Sequence, residues 1–301
     1  MKRLTITTLS LALLVGCASH EPSSSGSATT TAAPEPSASA SSPGKTDFTY
    51  RLPIAAYSYS QADYEMIESA EQILARDCMK RFRLSYQPAK DSSPAVTSDR
   101  RYGLSDMNDA ARYGYRLPPQ PAVTEPKLTE DEIKVLYGSR NFGSGEKKSE
   151  KLKYQGKEVP ETGCLGSSIK NFGKPYEYPT GVTAASNIAT DSYRASLRDP
   201  EVKSVFAQWS ACMKQKGYDY ASPMDPLGSP AFSKGRVTTK EKKTAMTDMR
   251  CKQSTNLLES WLDVESKIQK KMIQKNIKVL QKMSELHKGK VGAARKIVAG
   301  A

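Results

Sequence analysis

Apolar positions recur at three- and four-residue intervals in several stretches of this 301-residue chain, which is the spacing of one helix face. Ser60 with Asp63 has the form of a capping box, and Ile67, Ala70, Ile73, Leu74, Cys78 and Phe82 follow at helical spacing. Thr129 with Glu132 repeats the capping pattern before Ile133 and Leu136, and Gly138 offers a stop. Asp199-Pro200 places a cap before a proline in the first turn. Val202, Val205, Phe206, Trp209, Cys212 and Met213 form the apolar face behind it, and Gly217 ends it. One last long helix is predicted from near Lys240 through Cys251 to about His287, with short helices near 105–112, 163–171 and 190–198. No segment alternates with a period of two over five or more positions. Residues 87–127, 138–162 and 221–238 are rich in Pro, Gly, Ser and Lys and read as loops. The predicted fold class is mostly α, a helical domain with long irregular loops.

The first residues break this pattern. Lys2 and Arg3 precede an apolar run from Leu4 to Val15, then Gly16-Cys17. A charged start, a short apolar run and small residues before a cut are the parts of a secretory signal, and the run is shorter than the about 20 residues that span a bilayer. Leu14-Val15-Gly16-Cys17 resembles the lipobox of bacterial lipoproteins, which implies cleavage before Cys17 and acylation of that cysteine. From Ala18 to Thr46 the chain is almost only Ser, Ala, Thr, Pro and Gly, a composition that cannot offset the entropy of ordering. About 30 such residues reach some 30 Å, enough to clear lipid headgroups. The expected layout is a signal over 1–16, a lipidated cysteine and tether over 17–47, a helical domain over 48–262 and a basic helical extension over 263–301. The expected place is outside the cytoplasm, anchored to the outer face of the cell membrane.

Net charge is +13, of which Lys2 and Arg3 leave with the signal, and mean hydropathy is −0.58. The low hydropathy means many polar loops around a modest core. The charge favours anionic partners; for an exported chain these are acidic lipid or wall polymer, and nucleic acid is not expected. Cys78, Cys164, Cys212 and Cys251 remain beside Cys17, an even number that reads as two disulfides in an exported chain. Three connectivities are possible; Cys78–Cys164 with Cys212–Cys251 is favoured because each joins neighbouring helices in chain order.

Cys78-Met79-Lys80 followed by Leu84 and Tyr86 echoes Cys212-Met213-Lys214 followed by Tyr218 and Tyr220. Either a duplicated helix-plus-turn unit or shared packing of two helix ends accounts for it. Cys78-Met79, Arg101-Tyr102-Gly103, Tyr113-Gly114-Tyr115, Gly163-Cys164-Leu165, Trp209-x-x-Cys212-Met213, Gly217-Tyr218-x-Tyr220-x-x-Pro223 and Cys251 occur in that order. In this the chain is similar, over roughly residues 58 to 262, to Streptomyces-type exported lipoproteins of actinobacteria. The resemblance implies envelope location, disulfides and an α-helical domain. That group carries no assigned activity, so it brings no catalytic residues. This chain departs from many of its members in its lysine content and its longer C-terminal segment.

His20 lies in the tether and His287 near the C-terminus, so the folded domain is expected to hold no histidine. That removes Ser-His-Asp and Cys-His catalysis and histidine-based zinc sites. No G-x-S-x-G, H-E-x-x-H or P-loop occurs, and Gly143-Ser144-Gly145 reads as a loop. No catalytic residue, cofactor or metal is expected: the two Cys-Met pairs suggest copper(I) chemistry, but oxidised cysteines and core methionines account for them. Tyrosines such as Tyr102, Tyr113 and Tyr115 either line a sugar or peptide groove or pack half-buried.

From Ser266 to the end there are ten Lys or Arg and a single acid, Glu285. At 100° per residue, Lys267, Lys270, Lys271, Lys275, Lys278 and Lys282 fall within roughly 140° of arc. Ile268, Met272, Ile273, Ile277, Val279, Leu280, Met283 and Leu286 take the other half, interrupted only by Gln269 and Asn276. Either the apolar half packs on the domain and the lysines form a solvated rim, or the helix lies on an anionic membrane or wall polymer. The sequence leads to a non-enzymatic envelope binding or interaction lipoprotein of unknown ligand and unknown protein partner. Its rivals are a wall hydrolase using paired carboxylates and a structural envelope protein held to anionic surfaces by the basic helix. Converging carboxylates in a cleft mark the enzyme, an aromatic groove the binder, and a pocketless domain the structural protein.

Overall fold

Each capping signal read from the sequence starts a helix. The computed structural model describes residues 51–88, 100–120, 127–138 and 151–301; the signal, Cys17, the tether and Gly143-Ser144-Gly145 lie outside them. Ser60 accepts from the Asp63 backbone and Asp63 returns a bond, opening α1 (Gln61–Arg81). Asp106 caps α2 (Met107–Tyr113), and Thr129 with Glu132 forms the box that opens α3 (Glu130–Tyr137). A two-residue hairpin, β1 (Lys153–Tyr154) and β2 (Lys157–Glu158), turns at Gln155-Gly156 within the stretch read as loop. Then come α4 (Gly163–Gly173), a short 3-10 turn at Lys174–Tyr176, and α5 (Pro179–Ser196). Asp199 caps α6 (Pro200–Gln215); a single turn, α7 (Pro230–Ser233), interrupts the next loop. Thr238 caps α8 (Thr239–Ser254), which is followed by α9 (Leu257–Lys275) and α10 (Ile277–Ala299).

Two of these helices differ from expectation. The short helix placed at 190–198 is the end of α5, which starts at Pro179, where the fixed φ of proline suits a first turn. The single helix expected from Lys240 to His287 is three. Asn256 takes the left-handed conformation (φ 51°) between α8 and α9, which asparagine tolerates better than most residues. Asn276 donates its side chain to the Met272 carbonyl and separates α9 from α10.

Helix α1 packs on α4 and α10, α5 on α9 and α10, α6 on α8 and α9, and α2 on α8. The largest core cluster surrounds Trp209 and Trp261, both fully buried, with Tyr102 and Phe206 against the Trp261 ring at 4.6 and 4.8 Å. Burial of each indole contributes about 5 kcal/mol before entropy is counted. Ile273, Leu280 and Met283 join Leu52, Ile54 and Ile188 in a second cluster, and Val291 and Ala294 join Ile67, Ala70 and Phe172 in a third. The boundary expected at 262 is therefore not a boundary: residues 263–301 complete the domain, and the described residues form one compact unit. The abrupt charge at 263 lies on the exposed side of helices whose other side is core.

The disulfides are Cys78–Cys164, joining α1 to α4, and Cys212–Cys251, joining α6 to α8, with Cα separations of 5.5 and 5.7 Å. Two glycines deliver Cys164 to its partner. Gly138 and Gly163 both have positive φ, and a Cβ on Gly163 would lie 2.3 Å from the Leu136 carbonyl oxygen. Only there can the end of α3 cross the start of α4 at backbone distance. The Cys-Met echo is a shared helix ending. Arg83 and Gly217 adopt positive φ, and the amides of Leu84 and Tyr218 return to the carbonyls of the buried Met79 and Met213. Among the described residues no helix is long and apolar enough to cross a membrane. The two disulfides fit an oxidising, non-cytoplasmic compartment.

Candidate functional site

Three fully buried carboxylates on α8 and α9 fix the segment 100–116 against the core; Glu265 has its hydrogen bonds met, Asp248 Oδ2 faces Lys252 as an ion pair, and Glu241 Oε2 accepts no hydrogen bond. Glu265 accepts from Nε and Nη2 of Arg101, from the Tyr102 hydroxyl at 2.7 Å, from Ser192 at 2.7 Å and from Gln269 at 3.1 Å. Gln269 in turn accepts from the Ile54 amide at 3.1 Å, tying the start of the domain to α9. Asp248 accepts from Trp209 Nε1 at 2.9 Å and lies 3.3 Å from Lys252 Nζ, which also donates to the Leu104 carbonyl. Burial pushes the Asp248 carboxyl up and the Lys252 ammonium down, each opposed by attraction to the other. Glu241 accepts from the Tyr115 amide, with the Arg116 guanidinium at 3.5 Å. A Cβ on Gly114 would lie 2.7 Å from Glu241 Cγ, so this approach needs glycine. The Arg101-Tyr102-Gly103 and Tyr113-Gly114-Tyr115 motifs thus meet buried charge. They hold the fold together. Tyr102 and Tyr115 are core residues, not groove lining, and burial together with Asp248 pushes the Tyr115 hydroxyl up.

The open site lies where α4, the 174–176 turn, the start of α5 and α10 meet residues 57–60. A groove of about 640 Å³ is lined by Tyr59, Tyr176, Tyr178, Ile169, Val182 and His287, with Lys170 and Lys290 at its rim. Ile169 and Val182 are exposed apolar side chains, 44% and 56% accessible. Lys282 stands over the Tyr178 ring at 4.9 Å, and Lys290 over the Phe172 ring at 5.2 Å while reaching Glu71 at 3.2 Å. Tyr59 stacks on His287 with ring centroids 4.0 Å apart, and the same pair also lines a second cleft of about 360 Å³. Arg51, Lys288 and Arg295 line that cleft together with Asp63, Ser60 and Gly292. Burial, and the neighbouring Tyr64, Asp63 and Glu71, push the Tyr59 hydroxyl up to about 12, so it remains a neutral donor. Burial, and Lys290 beside it, lower the His287 imidazole against an opposing bond to the Tyr57 backbone, so the ring is neutral at pH 7.

His287 corrects the expectation that the domain holds no histidine, because α10 belongs to the core. The six lysines Lys267, Lys270, Lys271, Lys275, Lys278 and Lys282 are all exposed, the first four on α9 and the last two on α10. Asn276 breaks the single arc expected of them. Of their apolar backing, Ile268, Met272, Ile273, Ile277, Leu280 and Met283 pack in the core clusters of the domain. Among the described residues no three His, Cys, Asp or Glu side chains are placed to hold a metal ion. A third, exposed recess along α1 carries Glu65 and Glu68, neighbours on one helix turn. No protein family, curated protein or solved structure matches the chain.

The groove residues were not legible as a set. Tyr59, Tyr176, Tyr178 and His287 come from three distant segments, and none has a motif. The buried acids left one signal, the interruption of an apolar helix half by Gln269, which marks the face that receives Glu265.

Proposed function

We propose that this chain is a lipid-anchored envelope protein that binds a ligand in the groove around Tyr59, Tyr176, Tyr178 and His287 and performs no chemistry on it. The lipobox and tether support the anchor: acyl chains on Cys17 hold the protein at the outer face of the membrane, and the tether lets the domain reach about 30 Å from it. The likeness to Streptomyces-type exported lipoproteins supports the same location.

The observation that carries the binding reading is the groove itself. Half-buried tyrosines and exposed aliphatic side chains line it, cations stand at its rim, and no pair of carboxylates faces across it. Such a mixture of apolar lining and a few placed polar groups is what ligand sites use. The hydrolase alternative needs two carboxyl groups facing each other across a substrate. Glu65 and Glu68 are exposed neighbours on one helix, and Glu241, Asp248 and Glu265 are enclosed by their partners.

The exposed lysines add a second, weaker element. Each contributes at most about 1 kcal/mol next to an anionic surface, so Lys267 to Lys282 orient the tethered domain and do not by themselves select a ligand. The test is retention of the Cys17→Ser chain, which carries no acyl group, on isolated cell envelope at low and high salt. Tyr176→Ala with Tyr178→Ala is expected to abolish retention at both. Retention unchanged in that variant, but lost when the six lysines are replaced by Gln, removes the groove from the function.

A further inference from the structure

We infer that the two clefts that share the Tyr59–His287 stack form one site for an anionic glycopolymer, a chain that carries both sugar rings and phosphate groups. This rests on the groove reading and names the ligand class. Both clefts share Tyr59 and His287 as lining, so the stacked pair is common to two compartments that one extended ligand can straddle. The compartments differ in chemistry. One offers the rings of Tyr176 and Tyr178 with Pro179 and Val182, flat apolar surfaces with hydroxyl edges that suit the C–H faces and hydroxyls of a sugar. The other offers Arg51, Lys288 and Arg295 against a single acid, Asp63. Among the described residues Lys288 forms no ion pair, and Arg295 attracts the Asp63 carboxylate only from beyond ion-pair distance, so both can turn to a phosphate.

Charge decides against a neutral glycan. Lys170 and Lys290 stand at the first cleft with Glu177, and Lys290 is already engaged by Glu71, so across both clefts the cations exceed the acids. Shape decides against two other anionic ligands. The clefts are open and half polar, with no enclosed apolar cavity for an acyl chain. Their walls are helices, and the only described strands, at 153–158, are not part of the lining, so no sheet edge is offered to an extended acidic peptide.

Gly292 supplies a plug. It sits in α10 on the lining of the charged cleft, and a Cβ there meets nothing within 4 Å. A side chain at Gly292 therefore starts into open space on the lining of the cleft, and the thermal midpoint of Gly292→Phe checks that the fold is intact. The probe is a glucosylated polyglycerol phosphate, titrated into the Cys17→Ser chain. It is compared with unsubstituted polyglycerol phosphate of equal charge, a neutral glucan of equal length, and vesicles containing phosphatidylglycerol. The glucosylated polymer is expected to bind about tenfold tighter than either the unsubstituted polymer or the neutral glucan. Gly292→Phe and Tyr176→Ala are each expected to lower its affinity about tenfold. Equal binding of both phosphate polymers, insensitive to these variants, overturns the proposal and leaves only the exposed lysines as an electrostatic surface. Equal binding of the neutral glucan, or tighter binding of the vesicles, also overturns it. If none of the probes binds while the tyrosine variants still lose retention on whole envelope, the ligand class falls and the groove reading stands.

Discussion

Replacing Glu265 by Gln keeps the volume of the side chain and removes the charge that Arg101 faces. Glu265 is wholly enclosed and receives five hydrogen bonds, two of them from Arg101, whose own side chain is 22% exposed. Stranding one member of a buried pair costs about 3–5 kcal/mol. Partial access of Arg101 to water puts this case at the low end, about 3 kcal/mol. In a domain of this size that lowers the thermal midpoint by roughly 6–12 °C. The assay is urea unfolding of the oxidised Cys17→Ser chain, run as a double-mutant cycle with Arg101→Gln. A coupling of about 1–3 kcal/mol is expected, because the double variant leaves no buried charge unpaired. A loss below about 1 kcal/mol for Glu265→Gln, or additive single variants, refutes the reasoning that this carboxylate clamps α5, α9 and the 101–102 segment together.

Other expectations follow from the same structure. Replacing Cys78 and Cys164 by Ser opens a loop of 86 residues and should cost about 4 kcal/mol in urea unfolding, slightly more than opening the 39-residue loop of Cys212–Cys251. Gly163→Ala drives a Cβ to 2.3 Å from the Leu136 carbonyl at a positive φ and should cost more than about 3 kcal/mol, whereas Gly292→Ala, mid-helix and in open space, should gain about 0.5–1 kcal/mol. His287 is held below its ordinary range by burial and by Lys290, so above the unfolded value near 6.5 it is neutral in both states and stability is independent of it. As pH falls below 6.5 the unfolded chain takes the proton more readily, and stability declines until the folded value is passed. His287→Gln should remove that decline from urea midpoints measured between pH 7.5 and 5; an unchanged slope contradicts the burial argument.

What was legible in the sequence was local. Ser60 with Asp63, Thr129 with Glu132, Asp199-Pro200, Gly138 and Gly217 each specify a helix end through bonds spanning three to five residues, and each appears in the fold. The disulfide pairing followed chain order because each bridge links helices that pack on one another. Misreadings came where a distant contact decides. A continuous helical pattern from Lys240 to His287 conceals the bends at Asn256 and Asn276, which let α9 reach α6 and α10 reach α1 while both pack on α5. The lysines after residue 263 mark a charged surface, and nothing local shows that the other face of the segment is core or that His287 belongs to the domain. The groove was the least legible element. Of the tyrosines that stand out in sequence, Tyr113 is half-buried, and Tyr102 and Tyr115 are held inside by Glu265 and Glu241, through the Tyr102 hydroxyl and the Tyr115 amide. Those that line the groove stand beside turns and prolines with no repeating pattern.

Backbone hydrogen exchange of the Cys17→Ser chain, with and without isolated envelope, tests the central claim most directly. The account predicts slowed exchange confined to residues 51–63, 166–183 and 284–295, the segments that wall the two clefts. Slowing confined to 267–282, or none anywhere while the protein is bound, contradicts it.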